Sequence, residues 1–431
     1  MTLPRPPSRN PRRPGARLLL LLCFAPFAAA SETPEDYLRL ARVAMEAKLR
    51  EGDALLAGGD RTGALRAYAD AVELFRSAER RFLKARATPG EAPDPARDAV
   101  ARALDWLAAH QDFNDTGMWD CDGFMKHDAE SRLSSGAGNP KYDVGVTGLA
   151  LLAFLEAGHT DRAGAHARTV ERGLAFLLAQ QDKEGCIGSR GHLHFVHNHA
   201  AASIALCEAL RATRDDKYAG PAQLAMDFCA LARNPDLAWR YGVRPGNNDS
   251  SVTSWMVMAM DAGRRAGLKV DGEAFAGAMT WADRMTDEKT GQGGYIAKGG
   301  GGARPEIMLQ RFPGYLSESM TASLMMVRLH CGENARSPMM AKGAERLARM
   351  PPLWWGGSID IYYWFFATAA LKQVGGGVWE SWRDQLREEL LRNQRPDGSF
   401  DPADPWGPDG GRVYSTALCA LCLSMTAAEL D

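Results

Sequence analysis

From Ala96 onward a two-helix unit recurs, and a chain built from such copies has few ways to bury itself. The final copy, Trp379 to Met425, is the plainest. Trp379, Trp382, Leu386 and Leu390 fall at three- and four-residue steps, which predicts an amphipathic helix with Arg383, Arg387 and Glu388 on its wet side. That helix stops at Gln394. Pro396-Asp397-Gly398 reads as a turn, Phe400 offers a ring to fill the gap beneath it, and a Pro/Gly loop runs from Pro402 to Gly411. A second helix is expected from near Tyr414. Its run from Ala417 to Leu423 is apolar on every side, so this helix is buried while its partner faces water.

Earlier copies keep the same order of outer helix, loop and inner helix. Inner-helix starts are expected at Asp143, His199, Asp249, Ser317, Asp360 and Arg412, each four residues before a recurrent small or hydroxyl position. Those positions are Thr147, Ser203, Thr253, Thr321, Trp364 and Thr416, so the fifth unit alone departs. The starts are separated by 56, 50, 68, 43 and 52 residues, a loose period suited to helix pairs with loop insertions. Outer helices end alike, at His110-Gln111-Asp112 with Gly117 and Trp119, at Gln180-Gln181-Asp182 with Gly185, at Asp287 with Gly293 and Tyr295, and at Gln394 with Gly398. Asn234-Pro235-Asp236 is a degenerate copy. Six outer and six inner helices can close into a ring.

The loop glycine and aromatic, with Gln394-Arg395-Pro396-Asp397-Gly398-Ser399-Phe400 as the best case, resemble the Gln-Trp repeats of squalene and terpenoid cyclases and of protein prenyltransferase β-subunits. In appearance the chain is similar to exported bacterial proteins described only as prenyltransferase/squalene oxidase repeat-containing. The resemblance covers residues 96 to 428 and implies an all-α fold, an α/α toroid of six outer/inner helix pairs in a domain spanning 96–431. It does not carry over the chemistry. No Asp-x-Asp-Asp acid occurs, the nearest string being Asp120-Cys121-Asp122 in the first loop. Of the prenyltransferase zinc ligands, Asp360 could match the Asp, but Tyr362 stands where the Cys belongs and Ser415 where the His belongs. Glu184-Gly185-Cys186-Ile187-Gly188 likewise lacks the Cys-Gly-Glu-Gln of toroidal thioester proteins.

Ahead of the repeats, residues 1–30 have the order of a secretory signal peptide: five arginines, the apolar run Leu18 to Phe27, then Ala28-Ala29-Ala30. The expectation is export to the periplasm or beyond, with no integral membrane segment after cleavage. Residues 31–87 read as a helical hairpin at the spacing of one tetratricopeptide repeat, an accessory element that could meet a protein partner, and 88–95 as a linker. Cleavage takes away five arginines and no acid, leaving 46 basic against 53 acidic side chains, a net of −7, which argues against nucleic acid as a partner. A monomer is expected. Most of the cysteines lie in apolar helical runs and read as small core residues, but Cys121 and Cys186 fall in loops of neighbouring units, where an exported protein could bridge them.

The ring would gather Asp143, His199, Asp249, Ser317 with Glu318, Asp360, Trp364, Arg412 and Tyr414 near one mouth. Asp and Ser at helix starts are ordinary N-caps, yet their convergence with His199, Arg412, Tyr414 and Trp364 makes the mouth the expected ligand site. His199, Asp249, Asp143 and Asp360 are the acid/base candidates should the site be catalytic. His192, His194, His197 and His199 alternate in a way that, on an extended strand, could hold a transition metal, but no further ligand follows at fixed spacing. No cofactor is expected. Two long loops, 112–142 and 287–316, enlarge one face, the second carrying Gly299 to Gly302 with Arg304 and Arg311. The leading reading is an exported repeat protein that binds a ligand or partner at the barrel mouth. The alternative is an enzyme on the same fold, acting on an isoprenoid or a glycan.

Overall fold

The computed structural model describes residues 34–71 (apart from 62, 65, 66 and 69), 94–128, 134–300 and 302–427. The segment read as a signal peptide, the end of the hairpin and most of the linker lie outside these residues. The chain divides into two compact units at Ala92/Pro93. In the first, helix α1 (Pro34–Ala57) ends at a Gly58-Gly59 turn, and the chain comes back so that the Tyr68 hydroxyl donates to Asp53 Oδ1 at 2.8 Å.

The second unit is entirely helical among the described residues. Six outer helices, α2 (Pro95–Ala109), α4 (Ala167–Ala179), α6 (Ala219–Ala232), α8 (Gly272–Met285), α10 (Pro338–Ala348) and α12 (Gly376–Asn393), alternate with six inner ones. The inner helices are α3 (Asp143–Glu156), α5 (Phe195–Thr213), α7 (Ser250–Arg265), α9 (Ser319–His330), α11 (Ile361–Val374) and α13 (Gly407–Thr426). Each inner helix packs on the next, and α13 packs back on α3, so the inner ring closes. Each outer helix touches the inner helices before and after it, α2 finding its earlier neighbour in α13. This is an α/α toroid. No described helix is long and apolar enough to cross a membrane.

The two layers differ as their sequences predict. Helix α3 is buried at every residue from Val144 to Phe154, whereas α12 buries only Trp382, Gln385, Leu386, Glu389 and Leu390, one stripe at helical spacing. The repeat signature has a physical reason. Gln111, Gln181 and Gln394 each donate from Nε2 to the carbonyl of the glycine in their own turn and to a carbonyl early in the next outer helix: Thr169, Pro221 and Ala99 respectively. The third of these closes the ring. Gly398, at φ +94°, lies so close to α2 that a Cβ there would come within 2.2 Å of the Arg102 carbonyl oxygen.

The recurrent hydroxyl is explained too. Thr147, Thr253, Thr321 and Thr416 accept the backbone N–H of Trp119, Trp239, Gly293 and Phe400 at 3.0–3.3 Å, tying each loop to its inner helix. Two boundaries move. Helix α5 begins at Phe195, four residues before the expected start, and α13 begins at Gly407, with a kink at Gly411 that leaves Arg412 leading the buried segment. Cys121 and Cys186 are separate, buried thiols.

Candidate functional site

Six N-termini of inner helices converge on one face, but their first polar residues are drawn into the scaffold. Asp249 caps α7 by accepting the Val252 N–H at 2.8 Å, and Asp360 caps α11 by accepting the Tyr363 N–H at 3.0 Å. The other oxygen of Asp360 takes Arg304 and the Ser317 hydroxyl, both wholly buried. Asp143 holds the first loop through the Cys121 N–H at 2.9 Å, and burial pushes its carboxyl up to about 6. Glu318 pairs with Arg346 and Thr321. Arg412 binds the Ser135 carbonyl, Ser399 and Asp401, and Trp364 packs on Trp354.

His199 does not face the mouth. Its Nδ1 accepts the Ile187 N–H at 3.1 Å, so Nε2 carries the proton and points to Ser203 and Cys229, and burial lowers its pKa to about 3. It is the second unit's substitute for the loop-tying threonine. The extended arrangement expected for the four histidines is not formed, because Phe195 to Thr213 is one helix. At about 100° per residue, His194 and His197 share a face while His199 lies on roughly the opposite one. They do not form a common ligand set.

Within the mouth lies a cavity of about 130 Å³, enough for several water-sized positions, lined from five inner helices and the loops before them. Its wall carries six large aromatic side chains, Tyr142, Tyr241, Trp255, Tyr362, Trp406 and Tyr414, together with His194, His197, Asn198, Ser251 and Asp409. Of the residues that the sequence gathers at the mouth, Tyr414 is the one that lines it.

The wall is internally wired. Burial raises the pKa of the Tyr142 phenol, which stays protonated and shares a hydrogen bond with His194 Nδ1; the imidazole, its own pKa lowered by burial, is neutral. The His194 ring stacks on Tyr241 with centroids 4.9 Å apart, and the Tyr241 hydroxyl meets that of Tyr295 at 2.8 Å. His197, pushed down to about 3 by burial, lies 3.4 Å from Ser251 Oγ, which meets the Tyr362 hydroxyl at 3.0 Å. The Tyr414 hydroxyl donates to Asp404 at 3.3 Å. Below the cavity the barrel is filled: Trp255 stacks on Phe365 at 5.9 Å and meets Phe366 edge-on at 5.4 Å.

Ser251 and Tyr362, missed by sequence reasoning, had a signal. With Tyr414 they stand two places after Asp249, Asp360 and Arg412, and this step turns a side chain from the loops toward the ring axis. His194 and His197 were picked out for metal, and the three-residue step that puts them on one helix face was there to be read.

No family model matches the chain, and no curated protein matches its sequence. Among solved structures, an inactive variant of an α-1,6-mannanase of Salegentibacter sp., in complex with α-1,6-mannotriose, is similar over 77% of this chain and 99% of its own, at 11% identity and a TM-score of 0.52. A cellobiose 2-epimerase from Bacillus thermoamylovorans is similar over 77% of this chain and 98% of its own, at 12% identity and a TM-score of 0.51. At these identities the likeness is one of fold, and it places the chain among the α/α toroids.

Proposed function

We propose that this protein binds a small, neutral, hydroxyl-rich ligand, a sugar unit of a glycan, in the cavity at the mouth of the toroid. One observation carries the reading. Among the described residues, the wall combines six aromatic rings with neutral imidazoles, an amide, hydroxyls and one carboxyl, and holds no lysine or arginine. Such a surface offers ring faces to the C–H side of a sugar and hydrogen-bond partners to its hydroxyls. The filled barrel beneath speaks against a long isoprenoid. The mannanase of the same fold was solved with a mannotriose, so a toroid can hold a sugar of this size.

A second reading, an enzyme acting on such a sugar, is favoured by the Tyr142–His194 hydrogen bond, which can pass a proton at a point facing the ligand. Asp409 is the single carboxyl among the lining residues, so the wall does not itself supply the carboxylate pair of ordinary glycoside hydrolysis. Export, inferred from residues 1–30, would bring the protein to extracellular glycans, and residues 31–87 would serve as an accessory interaction element.

The test is a glycan array probed with the full chain, its His194→Ala variant and its Asp143→Ala variant. His194→Ala should abolish capture of any neutral glycan the protein binds. Asp143→Ala, outside the wall, should retain it. Capture by His194→Ala at unchanged strength would sink the assignment.

A further inference from the structure

Among the described residues, Tyr315 and Trp355 are the aromatic side chains left exposed, at 78% and 67% of their surface. They stand on two short 3₁₀ turns, Gly314–Leu316 and the one that follows Trp355, Gly356–Ser358. The turns are in contact: the backbone of Gly357 lies against the Arg311 carbonyl, where a Cβ would come within 2.5 Å of the oxygen. A bare ring on a mobile loop is ordinary. These are held from below, since Ser317, two residues past Tyr315, bonds the buried Asp360, and Asp360 follows Trp355 by five residues.

The same Asp360 ties this surface to the cavity. It receives Arg304, whose neighbour Ala303 lines the cavity, and it caps the helix whose second residue, Tyr362, is part of the wall. Rings and cavity therefore share one rigid anchor, on the same face of the toroid. We propose that Tyr315 and Trp355 form a stacking platform continuous with the cavity, which binds the further sugar units of a neutral polysaccharide whose first unit the cavity holds. This rests on the glycan reading given above and extends it from a single unit to a chain.

Two observations select this occupant. Planar side chains with few rotatable bonds present flat faces at low entropic cost, which suits the flat C–H face of a pyranose. Secondly, residues 305–317 and 351–359 contain only Glu306 and Arg311 as charged groups, and the Arg311 guanidinium lies over the Phe312 ring at 5.0 Å. A surface that docks on anionic lipid carries an excess of lysine and arginine, and this one is balanced.

The experiment compares the full chain with Trp355→Ala, Tyr315→Ala, the double variant and Tyr142→Phe. Each is measured against a panel of neutral polysaccharides, the disaccharides derived from them, and phosphatidylcholine vesicles with and without phosphatidylglycerol. The double variant should lose about tenfold in affinity for the polysaccharide while keeping its affinity for the disaccharide, and Tyr142→Phe should weaken both. The platform is overturned if disaccharides bind but chain length confers no gain, or if the double variant binds polysaccharide as the parent does. It is overturned equally if the two substitutions abolish vesicle binding instead. If the parent binds neither polysaccharide nor disaccharide, the cavity reading falls and the platform with it, an outcome distinct from the others.

Discussion

The inner-helix starts hold two sets of polar side chains, one behind the other, with opposite tasks. The belt of Asp143, Asp249, Glu318, Asp360 and Arg412 turns outward to loop amides, arginines and hydroxyls, and its hydrogen bonds fix the loops. The wall of Tyr142, His194, His197, Ser251, Tyr362 and Tyr414 turns inward, and most of its bonds are to itself. A mutation in the belt should therefore be read in stability, and one in the wall in binding. Helical rotation separates much of the two sets, since Ser251, Tyr362 and Tyr414 of the wall stand two residues after Asp249, Asp360 and Arg412.

The comparison breaks most visibly at Asp360. Replacing it with Ala leaves the Arg304 guanidinium, 2% exposed, without its carboxylate, and should cost about 3–5 kcal/mol in urea unfolding. An unchanged midpoint would show that the belt does not hold the fold.

A pH series gives a second test. Burial pushes the carboxyl of Asp249 up to about 7, and burial together with the charge of Asp360 does the same to Asp404. Both groups then bind a proton in the folded state that they lose when unfolded, so their contribution is full below the ordinary carboxylate range and declines as pH rises to about 7. Because the buried neutral His197 and His199 pull the other way over part of this range, the test is the difference: the stability of the parent relative to Asp404→Asn should decline as pH rises from 5 to 7. A difference that stays constant with pH would remove Asp404 from the account.

A smaller loss is expected on closing the ring less well. Gln394→Ala removes the bonds to Gly398 and Ala99 and should cost about 1–2 kcal/mol in the same unfolding experiment. Tyr362→Phe should have the smallest effect on stability, within about 1 kcal/mol, because it deletes one hydroxyl of the wall, and a measurable loss of glycan affinity would sharpen the division between the two sets.

Much of the fold could be read from the chain because the repeat imposes one contact many times. Gln394, Gly398, Phe400 and Thr416 each have counterparts in other units, and each makes a bond or a close approach that recurs around the ring. The site was less legible. Asp249 and Asp360 sit where ligand residues would sit, but a helix start has free amides of its own, and a side chain one turn away satisfies them before any ligand arrives. His199 illustrates the same competition: in the second unit the imidazole, in place of a threonine hydroxyl, takes the loop N–H. Tyr142 and Tyr241 lie in loops, where periodicity says nothing about direction. Tyr315 and Trp355 are legible only as aromatics without a helical stripe to join.

The junction between α2 and α13 has a consequence during synthesis. Helix α2 leaves the ribosome near the start of the domain, carrying Ala99, Ala103, Trp106 and Leu107 on the face that the finished protein covers completely or nearly so. Much of its cover, α13, is translated last. For the whole interval the growing chain exposes a sticky edge that no earlier segment can fully mask, so its safe delivery depends on holding factors or on speed. A ring made of equivalent units is thus not assembled by equivalent steps, and its first helix waits longest for shelter.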